Sequence, residues 1–313
     1  MTKRLIPDPS ASLPAARSAV PRPCERTEFM LDPARKQQNQ KEANPDFVRE
    51  YFESEASFWR AIYARKDVYA VIYQDRQAVV LLQVDRLALP TGARILDVGC
   101  GAGLTSVSLA RRGFVVDAVD VASAMLDQTG RLAKDCGVAK NVRTSKGDVR
   151  HLPFPDGTFN LVVALGVLPW IKPFEVPIRE MARVLRGGGY LIITVDNRWR
   201  LHELVDPFAW LSRVKNRVAL SLGSSGKQPQ APPCRRLSIR ETDTLVAGTG
   251  LRKIWGTTVG FGPFWFPHHC LPKSFGVALH RGLQRCVVLG FPLVRSTGAH
   301  YVVLSKKAGQ VAP

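Results

Sequence analysis

Between residues 94 and 195 short apolar, β-branched runs alternate with amphipathic helical stretches, and this alternation constrains the fold more than any other feature. Arg94–Val98 reads as a buried strand entering a glycine-rich turn, and Leu104–Arg112 as a helix stopped by Gly113. Val115–Val119, Val142–Lys146, Leu161–Leu165 and Tyr190–Val195 give four more strands. Ala122–Cys136, ending at Gly137, and Phe174–Leu185, capped by Gly187-Gly-Gly, give two more helices. Strands joined by helical crossovers at this spacing pack as a parallel, doubly wound sheet with right-handed connections. Two later strands, near Lys253–Val259 and Tyr301–Ser305, bring the expected sheet to seven.

The flanks read differently. Residues 1–45 are rich in Pro, Ser, Arg and Gln without periodicity and are expected to be a disordered tail. Residues 46–90 read as an N-terminal helical cover, with Phe47, Tyr51, Phe52, Phe58, Trp59, Ile62 and Tyr63 in a first part and a second helix over roughly Val68–Leu87. After the fifth strand, Trp199–Leu222 has the pattern of an amphipathic helix, and Gly223–Pro233 that of a polar loop. Ser238, with Glu241 three residues on, has the capping-box pattern for a helix to Gly248. An aromatic, Pro-rich stretch from Phe261 precedes a helix over Ser274–Leu289.

Charge is distributed unevenly. Residues 196–313 carry 17 basic and 5 acidic side chains, +12 of the chain's +18, which suits an anionic small molecule, a nucleic acid or an anionic membrane surface. A solvated basic face is an equally good reading. The six cysteines are scattered without a C-x-x-C pair, which argues against a zinc site or disulfide framework and fits a reducing cytoplasm. No apolar run reaches the length of a membrane span, and Pro7, Pro9 and Pro14 interrupt the first residues, so neither a spanning helix nor a secretory signal is expected.

Chemistry concentrates in Asp97-Val-Gly99-Cys100-Gly101-Ala-Gly103, between the first strand and the first helix. Glycines let the backbone approach a ligand with no Cβ in the way, and the helix start beyond offers free N–H groups. Asp120, 21 residues after Gly99 at the end of the second strand, stands where a carboxylate accepts two ribose hydroxyls. A dinucleotide-type G-x-G-x-x-G is not completed, because the third position after Gly101 is Leu104.

Five ordered segments then carry a resemblance. RILDVGCGAG, VDAVDVASAML, the run GDVRHLPFPDGTFNLVVA (two motifs) and REMARVLRGGGYLIIT resemble, in order, the motifs of class I S-adenosylmethionine (SAM)-dependent methyltransferases of the broad type 11 group. The resemblance covers residues 94–195 and implies a Rossmann-like core over residues 91–195, completed by strands six and seven in a domain reaching residue 313. It also implies SAM as cofactor. By position, Asp97, Gly99, Cys100, Gly101 and Gly103 would form the methionine-facing turn. Asp120 would hold the ribose and Val121 would pack beside the adenine. Asp148 would accept from the adenine amine, Val149 would stack near the ring, and Leu165 and Gly166 would lie beside the sulfonium. Tyr69, Tyr73 and Arg76 would lie on a helix covering the cofactor.

The acceptor is less defined. Leu168-Pro169-Trp170 lacks the polar residue and second Pro of the [DNS]-P-P-[YFW] motif of amino-methyltransferases, so a small organic acceptor, lipophilic or anionic, is favoured over RNA. A SAM-binding regulator without catalysis is the alternative from another class. Residues 196–236 and 260–291 are expected to form an acceptor-binding cap, with peripheral membrane contact open. His151, His202, His268, His269, His280 and His300 are all candidate bases, and none is singled out. The oligomeric state is left open.

Overall fold

A computed structural model describes residues 45–205, 234–266 and 269–309. Seven strands form one sheet: β1 (Arg94–Val98), β2 (Val115–Asp120), β3 (Val142–Lys146), β4 (Phe159–Leu165), β5 (Leu185–Asp196), β6 (Leu251–Val259) and β9 (His300–Lys307). Their order is β3-β2-β1-β4-β5-β9-β6. β1 to β5 pair in parallel, and β9 runs antiparallel between β5 and β6. The doubly wound, mostly parallel expectation therefore holds. The order reverses at β1, which places a ligand crevice beyond the carboxyl ends of β1 and β4.

The central strands are buried along all but one end residue each because helices cover both faces, as parallel sheets require. On one side Leu96, Val162 and Ile193 pack with Met181 and Val184 of the helix Glu175–Val184. On the other, Ile95, Val163 and Ile192 pack with Leu109 and with Val80 and Val84 of the N-terminal cover. That cover comprises α1 (Pro45–Ser54), α2 (Ala56–Ala61) and α3 (Val68–Arg86), where Asp67 caps α3 by accepting from the Ala70 N–H. The helices α4 (Leu104–Ala110) and α5 (Ser123–Asp135) follow β1 and β2, and α6 (Glu175–Val184) precedes β5.

One boundary differs from the sequence reading. The triplet Gly187-Gly-Gly does not cap α6. The helix stops at Val184 and the chain enters β5 at Leu185 directly. The register against β4 then jumps from Phe159↔Leu185 to Leu161↔Tyr190. The glycines are taken up in that irregularity: they mark a break in regular structure, and here the break is a bulge within the strand.

Beyond β5 lie α7 (Leu201–Leu204) and α8 (Ile239–Ala247), the latter with both arms of the Ser238/Glu241 capping box formed. Most of the amphipathic stretch proposed for 199–222 lies outside the described residues. Between β6 and β9 come a two-stranded ribbon, β7 (Trp265–Phe266) and β8 (His269–Cys270), then α9 (Lys273–Val288) and α10 (Pro292–Arg295).

Candidate active site

The crevice at the carboxyl end of the sheet is lined by Asp97, Gly99, Cys100, Gly101, Asp120, Val121, Asp148, Val149, Leu165 and Gly166. Each residue placed at the cofactor by the resemblance lines it except Gly103, while Tyr69 and the candidate histidines are not among its lining residues. That glycine packs against α5, where a Cβ would sit 2.6 Å from Thr129 Oγ1 and 2.7 Å from its Cα. Gly103 therefore sets the approach of α4 to α5.

The loop's backbone explains the other glycines. Gly99 (φ +63°) and Gly101 (φ +54°) lie in the left-handed region that L side chains disfavour. A Cβ on Gly99 would collide with the Val167 side chain, so β1 and the end of β4 meet closely there. A Cβ on Gly101 would meet nothing within 4 Å and would project into open space.

Two carboxylates flank this loop. Asp97 is buried and accepts from Ser106 Oγ at 2.5 Å. Burial, with Asp120 nearby, pushes its carboxyl up to about 7 despite that hydrogen bond. Asp120 accepts from the Gly101 N–H at 3.0 Å on one oxygen and from the Ala122 N–H at 3.0 Å on the other. Burial raises its pKa and these backbone bonds work against the rise. Each Asp120 oxygen has capacity for a further donor. Asp148 is engaged differently: Arg150 grips it with its guanidinium and donates its backbone N–H at 2.9 Å. Burial pushes the Asp148 carboxyl up, but Arg150 outweighs it and holds the group below its ordinary value.

The N-terminal helices roof the crevice. Val48 and Phe52 of α1, Trp59 of α2, and Tyr73 and Arg76 of α3 line it, with Tyr63 between α2 and α3. Phe52 stacks edge-on against Trp170 at 5.4 Å. The Glu53 carboxylate accepts from the Ser123 and Ala124 N–H groups at 2.5 and 2.8 Å, which fastens α1 to the positive end of α5. Nothing in the sequence pattern pointed to Glu53.

Arg76 is the most unusual group in the site. It is 5% exposed, its Nε has no partner, and no carboxylate among the described residues forms an ion pair with it. Its guanidinium lies 4.5 Å from the Tyr73 ring centroid, and a Cβ on Gly166 would be 3.1 Å from its Nη1. A buried guanidinium is costly to leave unpaired, and this one faces the open crevice, which favours an anion beside it.

A polar cluster closes the far side. Asp196, the last residue of β5, also lines the crevice. It pairs with Arg200 at 2.5 Å, accepts from Cys234 Sγ at 3.1 Å, and lies 3.1 Å from His300 Nδ1. Burial alone would raise the Asp196 pKa, but Arg200 and then His300 hold it well below the usual carboxylate range. Burial lowers the pKa of His300, and Asp196 offsets this only in part. His300 is therefore neutral at neutral pH, with Nδ1–H donating to Asp196 and Nε2 carrying a lone pair. Its ring lies 5.6 Å from that of Tyr73.

The other histidines sort by contact. His280 accepts from the Phe261 N–H at Nδ1 and sits 2.8 Å from Asp75 at Nε2, a structural role. His202 packs edge-on to Phe264, and burial, with Arg200, lowers its pKa to about 3. The side chains of Trp265, Phe266, His268 and His269 lie outside the described ones.

Residues 96–193 match the family described as "Methyltransferase domain". Among curated proteins, Methyltransferase GfsG of Streptomyces halstedii is 34% identical over 35% of this chain and 40% of its own length. A ubiquinone biosynthesis O-methyltransferase of Xanthomonas axonopodis pv. citri is 36% identical over 35% and 45%. The chloroplastic magnesium protoporphyrin IX methyltransferase of Arabidopsis thaliana is 31% identical over 44% and 48%. The chain thus spans about half the length, or less, of these relatives. Among solved structures, magnesium protoporphyrin IX methyltransferase from Synechocystis PCC 6803 with bound SAH (S-adenosylhomocysteine) overlays 85% of this chain and all of its own, at a TM-score of 0.56 and 18% identity. The [4+2]-cyclase SpnF overlays 75% of this chain and 82% of its own, at 0.51 and 20%.

Residues 96–193 therefore match a methyltransferase domain, and the sheet order and glycine-loop crevice are those of the Rossmann-like fold that the solved methyltransferase shares. A fold shared with a cyclase does not set the reaction, and the site must do so.

Proposed function

We propose that this chain transfers the S-methyl group of SAM to an oxygen of a small, largely apolar acceptor. The observation that carries this reading is one crevice with two chemistries facing it. On one side lie the glycine loop, Asp97, Asp120 and Arg76, and on the other Asp196, with the buried His300 hydrogen-bonded to it.

The residues present fit SAM. Arg76 offers a desolvated cation to the methionine carboxylate, and Asp97 an acid to its ammonium. Gly101 leaves its Cβ position open, and Asp120 keeps acceptor capacity for the ribose diol. Val121 and Val149 give apolar walls for an adenine ring. Asp148 is held by Arg150, so an adenine amine would share that carboxylate with the guanidinium.

Bound SAM supplies a sulfonium-activated methyl group. The protein's own part is alignment, exclusion of water and removal of a proton. In this reading Phe52, Trp59, Tyr63 and Trp170 enclose the acceptor, and their aromatic surface favours a lipophilic one. Of the expected cap, Asp196 lines the crevice. His300 Nε2 takes the hydroxyl proton, and the Asp196 carboxylate stabilises the imidazolium that results. Asp196 remains ionised because Arg200 and His300 hold its pKa down.

The test is methyl transfer from labelled SAM across a panel of phenolic and other hydroxylated acceptors. His300→Gln should lower kcat by about 10²–10⁴-fold while SAH affinity stays near the parent's. Absence of transfer to any hydroxyl, with transfer to amines that His300→Gln leaves intact, would replace the oxygen assignment.

A further inference from the structure

The corner formed by α9 and α10 is built against the usual economy of a protein surface. Val288 is 81% exposed, Leu289 74%, Phe291 54% and Leu293 87%. These four large apolar side chains fall within six residues, around the turn at Gly290 (φ +82°). Scattered exposed hydrophobics are ordinary, but a contiguous group marks a surface made for a partner.

The surroundings say which partner. Arg281, Arg285 and Val288 follow one another at i, i+4 and i+7 on α9, so two exposed guanidiniums share a stripe with the apolar corner. Arg295 is exposed at the end of α10. None of the three pairs with a carboxylate among the described residues, and no Asp or Glu follows Asp243 anywhere in the chain. A symmetric contact between two copies would bring this uncompensated positive charge against itself, which disfavours a second chain as occupant.

We propose that the α9–α10 corner docks peripherally on an anionic lipid bilayer. Val288, Leu289, Phe291 and Leu293 enter the headgroup–acyl boundary, and Arg281, Arg285 and Arg295 meet the lipid phosphates. No helix among the described residues is long and apolar enough to cross a membrane, so the contact is on the surface. The corner is tied to the crevice. His280 of α9 bonds Asp75 of α3, the residue preceding Arg76, so the docking element is fastened to the helix that roofs the site. A lipophilic acceptor dissolved in the bilayer would then reach the crevice from that side. The docking itself does not depend on the methyl-transfer reading.

The full chain should be tested by flotation with vesicles of phosphatidylcholine alone and of phosphatidylcholine mixed with phosphatidylglycerol. The parent should partition onto the mixed vesicles and weakly, if at all, onto phosphatidylcholine. Arg281→Gln with Arg285→Gln should weaken that partition by roughly thirtyfold. Leu289→Glu with Leu293→Glu should weaken it by at least about tenfold. Both positions are highly exposed, so unchanged Tm and SAH affinity are expected and would show that these variants fold. Failure of the parent to bind anionic vesicles, or equal binding by folded variants, would overturn the proposal. So would loss of self-association in the Leu289/Leu293 variant without a change in lipid partition, which would assign the corner to a second copy.

Discussion

Asp97 links the pH dependence of stability to that of ligand binding, and the two should move in opposite directions. Burial raises its pKa from 3.8 to about 7. Within that window the folded protein holds a proton that the unfolded chain has released, so stability falls as pH rises, and above about 7 the penalty is complete. The interval corresponds to about 4 kcal/mol at about 1.4 kcal/mol per pH unit, with the Ser106 hydrogen bond to the carboxyl already included. Asp97→Asn keeps the shape and removes the charge. At about pH 8 the variant without ligand should therefore be about 2–4 kcal/mol more stable than the parent, with Tm several degrees higher, while below about pH 4 the two should nearly coincide. SAH binding should show the reverse. In the parent, affinity should rise as pH passes about 7, because the ionised carboxyl pairs with the ligand's ammonium, and the variant should lose that rise. Thermal unfolding and calorimetric titration across this range are the assays. Parallel Tm curves for parent and variant at all pH values would refute the reasoning, since Asp97 would then not be the group that titrates.

Further outcomes follow from the same geometry. Arg76→Met should raise the Tm of the unliganded protein, because it removes a buried, uncompensated charge, and should weaken SAH binding by about 1.5–3 kcal/mol, as read by calorimetry. Asp120→Ala should weaken SAH binding by about 1.5–3 kcal/mol through loss of a charge-assisted acceptor. Gly101→Val should abolish detectable SAH binding with a modest loss of Tm. Gly99→Ala, which drives a methyl into Val167, should instead cost at least about 1–3 kcal/mol of stability. At saturating SAM, the acid limb of kcat should fall below the ordinary histidine pKa of about 6.5, because burial lowers that of His300. A limb at or above that value would remove His300 as base.

What could be read from sequence was local. The glycine loop with Asp97 and Asp120 announces itself because a left-handed turn and a strand-end acid leave residue-type signatures within two dozen positions. The capping box at Ser238 was legible for the same reason. The Asp196–His300 pair was not, because it joins residues 104 apart through the antiparallel β5–β9 pairing, and six histidines looked alike until that register was known. The Arg150 grip on Asp148 and the Glu53 cap on α5 depend on side-chain direction, which periodicity does not encode. Gly187-Gly-Gly was misread because glycine marks the end of a helix and a bulge in a strand equally well. Arg76 was correctly placed on the roofing helix, but its lack of a counter-ion emerges only from packing.

The most direct test of the central claim is isothermal titration of the full chain with SAH and, separately, with NAD. The crevice described here predicts saturable one-to-one binding of SAH, abolished in Gly101→Val, and no heat of binding with NAD. Binding of NAD together with no response to SAH would contradict the assignment of this domain to SAM.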